Sequence, residues 1–141
     1  MYIISACLAG IDCKYDGKNN KNEKILKLVQ EGKAILVCPE QLGGLSTPRL
    51  PSEIVPDNGN VKVISNNGKD VTENFLKGAE ETLKIAKMMG IKKAILKARS
   101  PSCGYGKIYD GTFSKTIIKG NGVTSELLEK NGIKIYTEED L

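Results

Sequence analysis

The chain opens with the stretch YIISAC (residues 2–7), an isoleucine-rich run that predicts a buried β-strand leading into a cysteine. Similar short apolar runs recur along the chain, and amphipathic helical patterns separate them. In chain order the predicted elements are strand 2–6, helix 21–31, strand 34–37, helix 72–89, strand 93–96, helix 124–130 and strand 133–136. This alternation favours a parallel sheet joined by right-handed crossovers, with helices on both faces.

The length of 141 residues suits one domain and is too short for a second sizeable core. We therefore expect a single compact α/β domain, residues 1–141, with a mostly parallel, Rossmann-like sheet of about four strands. A small hairpin is predicted from strands at 61–65 and 69–71, and another strand at 112–118. Residues 38–60 contain four of the five prolines and predict a long irregular stretch, which compact domains usually keep for function.

The charge pattern argues against several classes of function. The net charge of +4 comes from 21 basic and 17 acidic residues, and lysines interleaved with glutamate are typical of a solvated surface. With only two phenylalanines and no tryptophan to stack bases, stable nucleic-acid binding is not expected. No apolar run approaches the ~20 residues of a membrane helix, and Met1 leads into the first strand without a basic leader. We expect no membrane association and a cytoplasmic location.

Cysteine is the residue type best able to carry chemistry here. The four cysteines are accompanied by no histidine, which excludes histidine-containing zinc sites and Ser-His or Cys-His triads. One free cysteine is usually an ordinary core residue. However, Cys7 and Cys38 directly follow predicted strands and Cys103 lies in the loop after a third, so all three are expected at one edge of the sheet. Cys13 lies six residues beyond Cys7, and no strand end positions it.

The spacing of the cysteines leaves the metal open. No C-x(2–4)-C pair of the kind found in structural zinc sites is present, and the intervals of 31 and 65 residues indicate a site assembled by the fold. Three cysteines without histidine suit a cubane iron–sulfur cluster with one iron left open. Such an iron is a Lewis acid that can accept a sulfur or oxygen ligand from a substrate.

Three polar side chains close to the predicted ligands are candidates for the reaction. Glu40 lies two residues after Cys38, where loss of hydration could suit it to general acid or base work, and a surface glutamate is the alternative. Ser100 and Ser102 flank a proline just before Cys103, so their hydroxyls could hydrogen-bond a substrate or a cluster sulfur. Turn capping is the alternative for both serines.

Two arginines and a glycine pair are candidates for substrate binding. Arg49 and Arg99 lie in proline-containing loops near a cysteine, and their planar guanidinium groups offer hydrogen-bond geometry that lysine lacks. A surface salt bridge is the alternative for each. Gly43 and Gly44 would let the backbone approach a ligand closely, although glycine in a loop usually serves the turn.

Several long motifs in these same segments resemble one known family. They are SACLAG (5–10) with YDG (15–17), VCPEQLGG (37–44) with TPR (47–49), and KARSPSCG (97–104) with IYDGTF (108–113). Together they resemble the small bacterial family that includes the 2-thiouracil desulfurases, and the match runs along essentially the whole chain. The resemblance implies a [4Fe-4S] cluster held by Cys7, Cys38 and Cys103, with the fourth iron free for the substrate sulfur.

The resemblance also implies a reaction. Glu40 and Ser100 match the positions thought to act on the thiocarbonyl and the attacking water of a thiolated pyrimidine or nucleoside, which would yield the oxo-pyrimidine and hydrosulfide without electron transfer. Cys13 matches a position that is not needed as a ligand, and a fourth thiolate there could close the open iron. The cluster itself would come from cluster-assembly machinery.

Three other functions remain compatible with the sequence. A structural zinc protein with four cysteine ligands would be colourless and contain stoichiometric zinc. A sulfur carrier would hold a cluster or persulfide but would not turn over free thiopyrimidines. A sensor of thiolated nucleotides or RNA would need a base-stacking platform, for which the sequence gives little support.

Overall fold

The computed structural model describes all 141 residues. In chain order the strands and helices are β1 (Tyr2–Ser5), α1 (Glu23–Gln30), β2 (Ala34–Val37), α2 (Pro39–Leu42), β3 (Ser52–Asp57), β4 (Asn60–Ser65), α3 (Thr72–Met89), β5 (Lys93–Leu96), β6 (Lys107–Tyr109), β7 (Ile117–Lys119), α4 (Val123–Lys130) and β8 (Lys134–Thr137). Short 3-10 turns follow β1 at Ala6–Ala9 and β8 at Glu138–Asp140. No helix is both long and apolar enough to cross a membrane.

The main sheet has four parallel strands in the order β2-β1-β5-β8, which confirms the predicted α/β class. β1 lies inside the sheet, where Ile3 is aligned with Ile35 on one side and Ala94 on the other. The long crossovers that parallel strands require contain α1, α3 and α4. The four strands therefore end at a common edge.

Both faces of this sheet are covered because successive strand side chains point to opposite sides. Ile3 and Leu96 are fully buried on the face where Leu128 of α4 packs. Ile4 is fully buried on the other face, together with Ile25 of α1. Burial of each such side chain stabilises the fold by roughly 1.5–3 kcal/mol. The shared core fixes the strand ends rigidly with respect to one another.

A close contact between α2 and α3 fixes the segment that follows Cys38. A Cβ atom added to Gly78 of α3 would lie 1.9 Å from the carbonyl oxygen of Pro39, and one added to Gly43 would lie 1.9 Å from that of Asn74. Only glycine permits these two backbones to touch. Gly43, a sequence candidate for substrate binding, thus lies in a helix contact.

The structure corrects the predicted hairpin. β4 pairs antiparallel with β3, which lies within the stretch expected to be irregular, and the two-residue turn is Asn58-Gly59 with positive φ at both residues. Asp70 forms only an isolated bridge with Ile64. Pro56 is tolerated because β3 and β4 form a two-stranded ribbon in which each strand has a free edge.

The strand expected at 112–118 is also shorter than predicted. β7 begins at Ile117 and pairs antiparallel with β6, while the residues before it form a loop. Phe113 and Lys115 in this loop adopt positive φ, which no regular strand contains. This loop and the β3–β4 ribbon both reach the cavity described next.

Candidate metal centre

A cavity of about 480 Å³ lies beyond the carboxyl ends of β1, β2 and β5, and all four cysteines line it. Cys7 lies in the turn directly after β1, Cys38 directly follows β2, and Cys103 lies in the loop after β5. The strand ends therefore bring together the three cysteines singled out from the sequence. Their role as metal ligands stays a prediction.

Cys13 reaches the same cavity although it follows no strand. Its side chain is buried and adjoins the thiols of both Cys7 and Cys38. Its carbonyl oxygen accepts from the Cys38 Sγ at 3.7 Å and from the Arg49 Nη2 at 2.9 Å. The loop that carries it is also tied down where the Arg49 amide donates to the Tyr15 carbonyl at 2.7 Å. Cys13 thus sits between two of the predicted ligands.

The surroundings of the thiols divide them into two kinds. The hydrogen bond from Cys13 lowers the pKa of Cys38 to about 6, assisted by the backbone N–H of Gln41 and the Arg49 guanidinium. Interaction with the Cys13 thiol also lowers the pKa of Cys7, and interaction with these two neighbours raises the pKa of Cys13. Burial raises the pKa of Cys103 to about 12. The surroundings therefore favour the thiolate form of Cys38, and in the same direction that of Cys7, whereas burial favours the protonated form of Cys103.

Glu40 is held at the cavity by Arg49. The Arg49 Nε donates to the Glu40 Oε1 at 2.9 Å, and the two side chains are only 8% and 18% exposed. The Arg49 Nη1 donates to the Thr47 Oγ1 at 2.8 Å and to the Ser46 carbonyl at 3.2 Å. Because every guanidinium nitrogen has a protein acceptor, Arg49 orients Glu40 and the Cys13 loop, and is less free to bind substrate than the sequence suggested.

Ser100 and Ser102 have different positions. Ser100 lines the cavity, and its Oγ accepts from the backbone N–H groups of Ser102 at 3.1 Å and Cys103 at 3.0 Å. This capping holds the turn that presents Cys103 and leaves the hydroxyl hydrogen free to donate. Ser102 is buried outside the cavity, where its hydroxyl hydrogen-bonds the Thr124 Oγ1 at 2.9 Å. The structure therefore brings Ser100, but not Ser102, to the site.

The remaining candidates are also separated by the structure. Arg99 lines the cavity and pairs through Nη1 with the Glu139 Oε2 at 2.9 Å. Gly43 and Gly44 do not line it; Gly43 packs against α3, and the Gly44 backbone lies near the Asn74 side chain. In the sequence these two residues form a glycine pair in a predicted loop. Such a pair is as compatible with a close contact between helices as with ligand binding.

Several cavity residues were not among the sequence candidates. They are Tyr15, Glu53, Lys97, Tyr109, Phe113 and Lys115. The tyrosines and Phe113 belong to the motifs YDG and IYDGTF, so the motifs carried a signal for them. In the sequence, Glu53 is recognisable only as an acidic residue at the start of a short apolar run. Its position at the cavity depends on the pairing of β3 with β4, which the sequence did not predict.

The donor set fits an iron–sulfur cluster. Its members are thiols, the ligands that such clusters use, and two of them have lowered pKa values. The alternative of a zinc ion with four cysteine ligands would require sulfurs about 3.8 Å apart around one centre. In the metal-free chain, no group of three or more histidine, cysteine, aspartate or glutamate side chains is close enough together to form a metal-ion site.

Comparisons with known proteins point in the same direction. The sequence model of the 2-thiouracil desulfurase family matches residues 2–140. The uncharacterized protein YbbK of Bacillus subtilis (strain 168) is 48% identical over 147 residues, covering 100% of this chain and 97% of that protein. A solved structure of the [4Fe-4S]-dependent thiouracil desulfidase TudS superposes with a TM-score of 0.91 at 41% identity, covering 99% of this chain and 91% of that one. The chain belongs to the 2-thiouracil desulfurase family, which confirms the membership that its motifs predicted.

Proposed function

We propose that this protein is a [4Fe-4S]-dependent thiouracil desulfurase that converts the thiocarbonyl of a thiolated pyrimidine into a carbonyl and releases hydrosulfide. The observation that carries the proposal is the convergence of Cys7, Cys38, Cys103, Glu40 and Ser100 on one cavity. The similarity to a solved thiouracil desulfidase over 99% of the chain supports it.

The thiols of Cys7, Cys38 and Cys103 would hold the cluster. When bound, a cluster with three protein ligands supplies an open iron that can bind and polarise the thiocarbonyl sulfur. We assign Cys13 to donate a hydrogen bond to the thiolate of Cys7 or of Cys38, since its thiol adjoins both and carries a single hydrogen. A donor in this place stabilises thiolate sulfurs without occupying a coordination position.

Glu40 would take the proton from the attacking water. Arg49 holds its Oε1 at 2.9 Å, which fixes the carboxylate and leaves Oε2 for the water. Water adds its oxygen to the thiocarbonyl carbon, the carbon–sulfur bond breaks, and the sulfur leaves as hydrosulfide. Oxidation states do not change, so no electron donor is needed.

Ser100 would position the heterocycle. Its oxygen accepts two backbone N–H groups, so the hydroxyl hydrogen can be directed at a ring acceptor such as a carbonyl oxygen. Lys97 and Arg99 also line the cavity, but each is paired with a carboxylate, Lys97 with Glu138 at 2.7 Å and Arg99 with Glu139 at 2.9 Å, so neither is assigned to the product.

The biological setting belongs to the proposal as well. The substrate is a thiolated pyrimidine, as the free base or a nucleoside, and the cluster is delivered by cluster-assembly machinery in the cytoplasm. Stable binding to nucleic acid is not part of the proposed function.

Anaerobic reconstitution with iron and sulfide tests the proposal. Cys38→Ser should lose both the cluster and the desulfuration of 2-thiouracil, because one of three ligands is gone. Glu40→Ala should keep the cluster, measured as iron and acid-labile sulfide, and lose turnover. Glu81→Gln, a change at a partly exposed side chain on α3, should alter neither.

Two outcomes would contradict the proposal. An active, cluster-bearing Cys38→Ser protein would remove this residue from the ligand set. A wild-type protein that holds its cluster but turns over no thiopyrimidine would favour a sulfur carrier.

A further inference from the structure

Glu53 is an acidic side chain in the cavity with an unusual set of partners. It lies in β3, is only 8% exposed, and lines the same cavity as the cysteines. Its Oε1 accepts the backbone N–H of Gly111 at 2.9 Å and that of Phe113 at 3.2 Å. These two bonds fix the carboxylate against the loop between β6 and β7.

The second carboxylate oxygen of Glu53 is available. Oε2 takes part in neither of the hydrogen bonds that the side chain forms. Every side-chain oxygen in this protein that is sealed from solvent has a hydrogen-bond partner. Oε2 is therefore not sealed, and the space that Glu53 lines is the cavity.

Glu53 is thus the carboxylate of the cavity that has no cationic partner. The other one, Glu40, is engaged by Arg49 at 2.9 Å. Because Oε2 is accessible from the cavity, it can accept a hydrogen bond from a bound molecule in place of water. The groups able to satisfy it are N–H or O–H donors on a molecule in the cavity.

A 2-thiopyrimidine that binds through its sulfur carries such donors. In 2-thiouracil the thiocarbonyl carbon lies between two ring nitrogens, and each bears a hydrogen. A hydrogen-bond acceptor of the protein beside the bound thiocarbonyl can therefore accept from a ring N–H. A donor of the protein in the same place would face that N–H and weaken binding.

We propose that Glu53 is a specificity-determining residue that accepts a ring N–H of the pyrimidine through Oε2 while its Oε1 holds the loop at Gly111 and Phe113. The inference rests on the proposed function for the identity of the ligand. It assigns Glu53 to recognition and leaves the attack of water to Glu40.

The test is a Glu53→Gln variant of the anaerobically reconstituted protein. Glutamine has the same size, and its oxygen can still accept the two loop amides, but its NH₂ group places a donor against the ring N–H. We expect uracil to bind about tenfold to a hundredfold more weakly by isothermal titration, the range for loss of a hydrogen bond to a charged group. Glu81→Gln serves as the matched control. 1,3-Dimethyluracil, which has no ring N–H, should bind weakly and equally to wild type and variant.

Hydrogen exchange separates recognition from loop anchoring. The amides of Gly111 and Phe113 should remain as protected in the variant as in the wild type. Unchanged uracil affinity in Glu53→Gln would overturn the proposal, as would a loss of affinity accompanied by exposure of these amides. A wild-type protein that binds no uracil would overturn it too. If uracil binding falls as expected while wild type fails to desulfurate 2-thiouracil, the proposed function fails and the assignment of Glu53 to pyrimidine binding stands.

Discussion

Replacing Arg49 should destabilise the protein more than any surface charge change, because this one side chain ties three parts of the site together. Its guanidinium is 8% exposed and bonds to Glu40, to Thr47 and to the carbonyl of Cys13. Breaking a buried charge pair costs about 3–5 kcal/mol. Because the Glu40 side chain is 18% exposed and water can reach it from the cavity, we expect about 2–4 kcal/mol for Arg49→Ala in the metal-free protein.

Urea denaturation of the metal-free protein measures this loss, and thermal melting should show it as a decrease of roughly 6–16 °C in Tm. Arg49→Lys should lose about half as much, since it keeps the charge but not the branched donor geometry. Lys84→Ala breaks an exposed pair with Glu81 and should change little. An unfolding free energy for Arg49→Ala within about 0.5 kcal/mol of wild type would refute the reasoning.

Three further predictions concern the residues around the cysteines. In the metal-free protein the pKa of Cys38 is about 6. The rate of its alkylation by iodoacetamide should therefore rise between about pH 5 and pH 7 and then level off. A rate that continues to rise to about pH 9 would indicate an ordinary thiol. Gly78→Ala forces a methyl group against the Pro39 carbonyl and should cost about 1–3 kcal/mol in urea denaturation and reduce the cluster content, whereas the exposed Lys77→Ala should do neither. Cys13→Ser should keep most of its iron and sulfide on reconstitution; a colourless variant would make Cys13 a ligand.

The sheet could be predicted because its signals are local. Each buried strand is a short apolar run, and α3 spans Thr72–Met89 as its apolar periodicity predicts. The hairpin was misplaced because Pro51 and Pro56 made its first strand look irregular, although the Asn58-Gly59 turn was present in the sequence. Proline in a two-stranded ribbon is tolerated, and pattern alone does not distinguish a ribbon from a loop.

Only those residues of the candidate site that directly follow strands of the main sheet could be placed from the sequence. The positions of Cys7, Cys38 and Cys103 follow from the parallel sheet, since residues after such strands meet at one edge. The ion pair of Glu40 with Arg49 and the backbone contact at Gly78 depend on how distant loops and helices pack, which leaves no local pattern. Loop glycines such as Gly43 have two physical uses, and only the packed structure distinguishes them.

Mössbauer spectroscopy of the ⁵⁷Fe-reconstituted protein, with and without 2-thiouracil, tests most directly whether three cysteines hold a cluster with an open iron. We predict one [4Fe-4S] cluster per chain and a change in the signal of a single iron when 2-thiouracil is added, in wild type and in Cys13→Ser alike. A spectrum that 2-thiouracil leaves unchanged, or a protein that takes up zinc in place of iron, would contradict the account.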